Sequence, residues 1–395
     1  MRLTTTGMAT DGRAISRNGD GKVVFVEGAL PGETVEAQSI EEKPSWVSAR
    51  VVDILQASAD RVDPPCPRRA EGCGGCPWQH IAPPAQSRIK ASLITESIQR
   101  LGGVAEVPLA RTVELPPWGW RTSIRAAVQD GYPALRQNQS HRLVPIPGCP
   151  VAHPLIRPLL EGPLYPGAES VLLRCGARTG ERLASVSPQR GRPRATLPED
   201  THRRYFYELA AGRRWRVSAR SFFQSRPDGA DALADLVVRA TRELAPAETD
   251  GGGHAVDLYS GVGLFAGVLA EGGWRVTAVE GSPTSVRDAR HNLAGLPVQV
   301  VGADVHRWKP IAADVVVADP SRAGLGRRAT EVVAATGARR VVLISCDVAS
   351  LGRDIGLLDS VGYSLRSVTP VDVFSHSWRV EVVSVLDRRP GSAGA

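Results

Sequence analysis

The chain has 395 residues, of which 42% are hydrophobic and 23% charged, the make-up of a globular protein of two or three domains and not of a disordered or fibrous one. No apolar run approaches the roughly 20 residues that cross a bilayer, and residues 1–17 lack the apolar core of a secretory signal, so a cytoplasmic protein with no membrane partner is expected. The six cysteines are unevenly spaced, which excludes a small secreted disulfide framework and favours metal or catalytic use in a reducing compartment.

The net charge of +7 is localised. Residues 1–62 carry 7 Lys and Arg against 9 Asp and Glu, residues 63–220 carry 23 against 12, and residues 221–395 carry 18 against 20. The middle third therefore holds all of the excess, the footprint expected for a polyanion such as nucleic acid. Only four of the basic residues are lysine. Arginine suits bidentate phosphate contact and stacking.

Residues 1–60 read as short strands (22–26, 33–38, 46–55) broken by Asp11-Gly12 and Asn18-Gly19-Asp20-Gly21. Such turn signals predict a small closed β-barrel. Cys66, Cys73 and Cys76 then fall within eleven residues, with Gly74-Gly75 between the last two. Glycine lets the backbone turn so that thiolates converge, and Cys149 in a Pro-Gly-Cys-Pro loop is the candidate fourth ligand. Paired Cys-x2-Cys knuckles are usual for structural zinc; a tight triplet with one remote cysteine fits an iron–sulfur cluster at least as well. His80 is a lone histidine and reads as structural.

Residues 84–101 have helical apolar spacing (Ile89, Leu93, Ile94, Ile98, Leu101) closed by Gly102-Gly103. Strands are predicted at 121–128, 171–175, 183–186, 203–209 and 214–217, with Cys175 in the core and an exposed Arg-Gly-Pro loop at 189–194. Arginines alternate with aromatics in Arg203-Arg204-Tyr205-Phe206-Tyr207 and Arg213-Arg214-Trp215-Arg216. That interleaving suits phosphate neutralisation and base stacking, or equally one core face and one solvated face of a sheet.

From His254 strand and helix alternate: strands at 255–259, 275–280, 298–304, 313–319 and 339–346, then two closing strands at 365–373 and 379–386. This predicts an α/β fold with a doubly wound, mostly parallel sheet. Ligands in such sheets gather beyond the carboxyl ends of the strands. There stand Asp257 with Gly261 and Gly263 in a strand-to-helix turn, Glu280 placed for ribose hydroxyls, Asp304, Asp319 and Cys346. The glycine pattern alone also matches a dinucleotide fingerprint, but Asp257 and Asp319-Pro320 suit S-adenosylmethionine (SAM), which has no pyrophosphate to cradle.

Seven features in order resemble the RNA 5-methyluridine (uracil-C5) methyltransferase family, especially its 23S ribosomal-RNA branch with a TRAM domain and a [4Fe-4S] cluster. They are the TRAM-like stretch 21–33; Cys66, Cys73 and Cys76 with Cys149; Phe222-Phe223-Gln224; Asp257-Leu-Tyr259-Ser-Gly261-Val-Gly263; Val279-Glu280-Gly281; Asp319-Pro320-Ser321-Arg322; and Ser345-Cys346-Asp347 with Val380-Glu381. The resemblance implies a TRAM-like RNA-binding barrel at 1–62, a central basic RNA-binding and iron–sulfur domain at 63–220 whose helix 84–101 can pack on the catalytic part, and a class I SAM-dependent methyltransferase domain at 221–390, working as a monomer. It implies Cys346 as nucleophile and Glu381 as general base, with Gln224, Tyr259, Glu280, Asp319, Asp257, Gly261, Gly263 and Asp304 around SAM. Arg322 would orient RNA or the uracil carbonyl. The four cysteines would hold a [4Fe-4S] cluster, zinc being the alternative. Uracil C5 is a poor nucleophile unless a thiolate first adds at C6, and a base must later remove the C5 proton; the target base must be flipped or single-stranded. His376 is the rival base.

The chain departs from the family pattern at Leu264, Ser321, Asp347 and Val348. A carboxylate beside a thiol raises its pKa, and Arg353 is the candidate cation to offset Asp347. A tRNA substrate is the alternative within the same chemistry. A non-catalytic RNA-binding or assembly factor is a reading from another class, and a nicotinamide-dependent oxidoreductase leaves Cys346 and Glu381 without a role.

Overall fold

A computed structural model describes residues 1–138, 140–189, 195–244 and 253–391. The loop expected at 189–194 lies outside them from residue 190 onward. No helix among the described residues is long and apolar enough to cross a membrane. The chain forms two compact units, one made of Met1–Ile94, Leu135–Val144 and Phe374–Arg379, the other of Thr95–Ala134, Pro145–Val373 and Val380–Ala395.

The first unit is built on β1 (Arg2–Thr4), β2 (Gly7–Met8), β3 (Ala14–Arg17), β4 (Val23–Glu27), β5 (Thr34–Glu42) and β6 (Trp46–Gln56). They pair in the order β1-β5-β6-β4-β3-β2. Both ends of that order come from residues 2–8. The Thr5 amide donates to the Glu33 carbonyl (2.9 Å) and the Thr6 amide to that of Ile15 (2.8 Å), so the sheet closes into a barrel. Alternate residues Val24, Val26, Val35, Ala37, Val47 and Ala49 fill its interior. Contrary to a chain of hairpins, β4 and β6 pair in parallel. Glu33 is buried within this unit, where it accepts from the Leu30 and Ser58 amides and from Nε and Nη2 along one edge of Arg61. Burial pushes its carboxyl up, but the Arg61 side chain and the two amides outweigh that and hold it below its ordinary value.

The helix α1 (Pro83–Gly102) follows the cysteine triplet. Next come β7 (Ser123–Gln129), β8 (Tyr132–Arg136), β9 (Leu143–Pro145), β10 (Ala168–Cys175) and β11 (Arg182–Pro188), paired in the order β11-β10-β7-β8-β9. A separate antiparallel ribbon joins β12 (Tyr205–Ala210) to β13 (Arg213–Ser218).

The rest is α2 (Pro227–Arg242), β14 (His254–Leu258), α3 (Leu264–Glu271), β15 (Arg275–Glu280), α4 (Pro283–Asn292), β16 (Val298–Gly302), β17 (Val315–Ala318), α5 (Gly326–Ala335), β18 (Arg340–Ser345), α6 (Val348–Ser360), β19 (Tyr363–Val371) and β20 (Glu381–Arg388). Seven strands pair in the order β16-β15-β14-β17-β18-β20-β19. The first five run parallel, and β20 is antiparallel to both neighbours. Every residue of β17 and β18 is buried, as expected for central strands with covered faces. This is the class I SAM-dependent methyltransferase fold.

Candidate active site

The reversed strand β20 is what assembles the site. Ser345, the last residue of β18, pairs with Val382, the second of β20. One step beyond Ser345 is Cys346, and one step before Val382 is Glu381. The antiparallel register thus makes the thiol and the carboxyl cross-strand neighbours at the carboxyl edge of the parallel strands. On the other side of β18, Ala318 pairs with Leu343, which brings Asp319 to the same edge.

Cys346 is half-buried. Asp347, which follows it, is the N-cap of α6, and its Oδ1 accepts from the amides of Ala349 (3.1 Å) and Ser350 (2.9 Å). The helix amino end thus takes up the charge that the sequence set against the thiol. Arg353, the cation expected to do so, is exposed and donates to the Ala349 carbonyl.

Glu381 is buried, and Asp319, close enough to act on it electrostatically, is half-buried. Burial, and then the charge of Asp319, push the Glu381 carboxyl far up. Burial pushes Asp319 up to about 7. Asp257, at the end of β14, accepts from the Ala266 amide (2.8 Å), and burial with the charges of Asp319 and Glu280 drives it up. Glu280 accepts from the Gly261 (2.8 Å) and Ser282 (2.6 Å) amides, tying the glycine turn to the start of α4. Gly261 and Gly263 have φ of 56° and 99°; a Cβ on Gly263 would press on Leu293 at 2.7 Å, whereas one on Gly261 would meet open space. Tyr259 also has a left-handed backbone, φ 60°, a strained state for a bulky residue that functional turns tolerate. Burial, then the charges of Asp304 and Asp354, push its hydroxyl up to about 12. Asp304 itself is exposed and caps residues 305–307 through the His306 amide.

Five buried polar atoms around this edge have no partner: Gln224 Oε1, Asp257 Oδ1, Tyr259 OH, Ser260 Oγ and Glu381 Oε2. Buried polar groups are rarely left so. Clustered carboxyls with unused acceptors suit a cationic ligand that carries donors, and disfavour a pyrophosphate. The sequence-predicted set Gln224, Asp257, Tyr259, Gly261, Gly263, Glu280, Asp319, Cys346 and Glu381 belongs to one unit, as does Asp304.

Three positioning residues escaped sequence reading. Asp288 of α4 is fully buried and accepts from the Ser218 amide and hydroxyl (2.7 and 2.8 Å) and the Ser221 hydroxyl (2.6 Å). Arg174 of β10 donates to the carbonyls of Ser218, Ala219 and Ser221. Together they clamp residues 218–221, which lead into Phe222-Phe223-Gln224; Gln224 Nε2 then reaches Asp319 Oδ2 at 3.3 Å. Asp354 of α6 accepts from the Leu325 (2.7 Å) and Gly326 (3.0 Å) amides. It thereby fastens the loop that presents exposed Arg322 to the helix that follows Cys346. Gly324 (φ 79°) is obligatory there, since a Cβ would collide with the Asp354 carboxylate. In sequence these acids and Arg174 look like ordinary surface charges.

His376 lies in the first unit. Its amide donates to Gln86 Oε1 (2.7 Å), and its Nδ1 is 3.2 Å from Gln86 Nε2. Cys66, Cys73 and Cys76 are buried in the same unit, and Cys149 belongs to the other. Among the described residues no three His, Cys, Asp or Glu side chains are gathered as metal ligands.

No protein-family model matches the chain. It is 36% identical, over 96% of both chains, to a protein named as an uncharacterized RNA methyltransferase of Streptomyces avermitilis. It is 34% identical to the 23S rRNA (uracil(1939)-C(5))-methyltransferase of Halomonas elongata, covering 99% of this chain and 90% of that one. Among solved structures it superposes on the Pyrococcus abyssi tRNA (uracil-54, C5)-methyltransferase in complex with S-adenosyl-L-homocysteine, with a TM-score of 0.76 and 21% identity over 98% of this chain and 100% of that one. The whole-length likeness to these relatives shows that the chain belongs to the RNA methyltransferase family.

Proposed function

We propose that the protein methylates C5 of a specific uridine in structured RNA, with SAM as methyl donor and Cys346 and Glu381 as the reacting side chains. The observation that carries the reading is the register that sets Cys346 beside Glu381, with Asp319 at the same edge. SAM, when bound, supplies an electrophilic methyl group on a sulfonium. Its positive charge and ammonium donors match the buried carboxyls and the unpartnered acceptors of Gln224, Asp257 and Glu381.

The Cys346 thiolate adds to C6 of uracil, and the electron pair of the C5–C6 bond moves onto O4 as an enolate. C5 then takes the methyl group as its bond to sulfur breaks, the electron pair leaving with sulfur. Glu381 removes the C5 proton, and the C5–C6 double bond re-forms as the thiolate leaves. Glu381 must be ionised for this. A cation brought beside it offsets the burial and the Asp319 charge that hold its proton on. Arg322, exposed on its fastened loop, would contact RNA or the uracil carbonyl. The closed barrel at the amino end would act as a TRAM-like RNA module. The [4Fe-4S] reading of Cys66, Cys73, Cys76 and Cys149, with zinc as alternative, rests on sequence pattern alone; iron and sulfide analysis of anaerobically purified protein tests it, and a colourless protein holding zinc would overturn it.

The relative named for 23S rRNA makes that RNA the first substrate to try, with tRNA second. RNA containing 5-fluorouridine tests the chemistry, because without a C5 proton the adduct cannot resolve. A denaturation-resistant protein–RNA complex that Cys346→Ala abolishes is expected. Absence of both adduct and methyl transfer on ribosomal and transfer RNA would favour the non-catalytic binding factor.

A further inference from the structure

The Arg–aromatic stretch at 203–216 is not used by the chemistry above, and the β12–β13 ribbon sorts it into two faces. Phe206, Glu208, Ala210, Trp215 and Val217 are buried. The alternate positions Tyr205, Tyr207, Leu209, Arg214 and Arg216 form the other face, with Tyr205 and Leu209 each 39% exposed. On it the Arg216 guanidinium lies 4.3 Å from the Tyr205 ring centroid and that of Arg214 3.7 Å from the Tyr207 centroid. The two tyrosines meet edge to face at 5.7 Å. Tyr207 OH is 3.3 Å from His291 Nε2 of α4, so the same surface continues onto the helix. Exposed Arg287 and Arg290 share the side of α4 that carries His291. Nearby carboxylates are few: Glu181 meets Arg203 (3.7 Å) and Arg214 (3.2 Å), and buried Asp288 meets Arg216 (3.3 Å).

We propose that this face of the β12–β13 ribbon, extended by α4, docks the sugar–phosphate backbone of the RNA strand flanking the target uridine. The proposal rests on the RNA-methylating function proposed above and names where that substrate is held. Three features carry it. Basic charge exceeds acidic charge on the face. Each guanidinium lies over a ring, which lowers the side-chain freedom lost on binding, and the N–H groups not turned to Glu181 or Asp288 remain for phosphate oxygens. Arg214 and Arg216 are two strand residues apart, about 6.8 Å, comparable with successive phosphates along one strand.

Arg214→Ala, Arg290→Ala and the double variant test it; Arg216 is left in place because it also meets Asp288. The measurement is KM for RNA against kcat, repeated over a salt series, with SAM affinity by calorimetry as the control for folding. The double variant is expected to raise KM at least tenfold, to place the loss in KM and not in SAM affinity, and to lower the salt slope of log KM by about 1.4, from about 0.7 per single-strand phosphate. Methylation by the wild type with KM and salt slope unchanged in the double variant would overturn the inference and leave the function standing. If the wild type methylates no RNA, the function fails, and filter binding of the same RNAs still decides the inference: affinity and salt slope equal to wild type would refute it.

Discussion

Asp319→Asn should stabilise the protein while ending its activity. Asp319 is half-buried at the carboxyl edge of the parallel strands, near Glu381 and Asp257, and desolvation raises its carboxyl from 3.8 to about 7. A carboxyl raised on folding contributes stability that is fully present below the unfolded value near 3.8 and is lost as pH rises through about 7. At pH 8 the folded state therefore carries an ionised group that burial disfavours, at a cost on the order of 4 kcal/mol for a rise of that size. An amide keeps the volume and one oxygen for Gln224 but leaves an NH2 to satisfy, which returns part of the gain. A net stabilisation of roughly 2 kcal/mol, or roughly 2–4 °C in Tm for a chain of this size, is expected at pH 8. At pH 5.5 only about half of that cost, roughly 2 kcal/mol, has accrued, which the unsatisfied NH2 of the amide about cancels, so the difference should nearly vanish. Differential scanning calorimetry of both proteins without SAM at the two pH values reads this directly. A variant less stable than wild type at pH 8, or a difference independent of pH, would refute the reasoning.

Asp347→Ala should lose about 1 kcal/mol of stability through the missing N-cap of α6, whereas Asp347→Asn should stay within a few tenths; chemical denaturation distinguishes them, and an equal loss in both would mean that the charge matters more than the cap. Asp288→Ala strands one amide and two hydroxyls, each worth about 1–3 kcal/mol when buried, and releases the segment before Gln224. Its kcat should fall at least tenfold with part recovered in Asp288→Asn, and an unchanged kcat would remove the clamp from the account. In the barrel, Glu33→Gln should cost about 3–5 kcal/mol by leaving Arg61 without its counter-charge. Because the Glu33 carboxyl is held low, its contribution is present above the unfolded value and lost as pH falls; acid unfolding of the barrel should therefore be less pH-dependent in the variant.

The methyltransferase sheet was legible because its strands are short apolar runs alternating with helical periodicity. The strand expected at 339–346 is Arg340–Ser345, and that at 275–280 is matched residue for residue. The residues proposed to react were picked out by motif resemblance, but the register that sets them side by side depends on the antiparallel insertion of β20 between β18 and β19, a long-range pairing that no local signal encodes. The same is true of the parallel β4–β6 pair. The helix α2 went unread, although Ala230, Leu233, Ala234 and Val237 give it a buried stripe, because Gly229 and Pro227 stand at its start like loop residues. Asp347 shows the limit from the other side. Its position in sequence suggested a charge against the thiol, and its backbone turns that charge into a helix cap.

In the proposed chemistry Cys346 and Glu381 act on one uracil ring, the former forming the adduct and the latter releasing it. Glu381→Gln removes the base and leaves the nucleophile. With ordinary uridine RNA and methyl-labelled SAM, this variant should accumulate a denaturation-resistant protein–RNA adduct that carries the label, and Glu381→Gln with Cys346→Ala should form none. Release of labelled, fully methylated RNA by Glu381→Gln at the wild-type rate, with no trapped adduct, would contradict it.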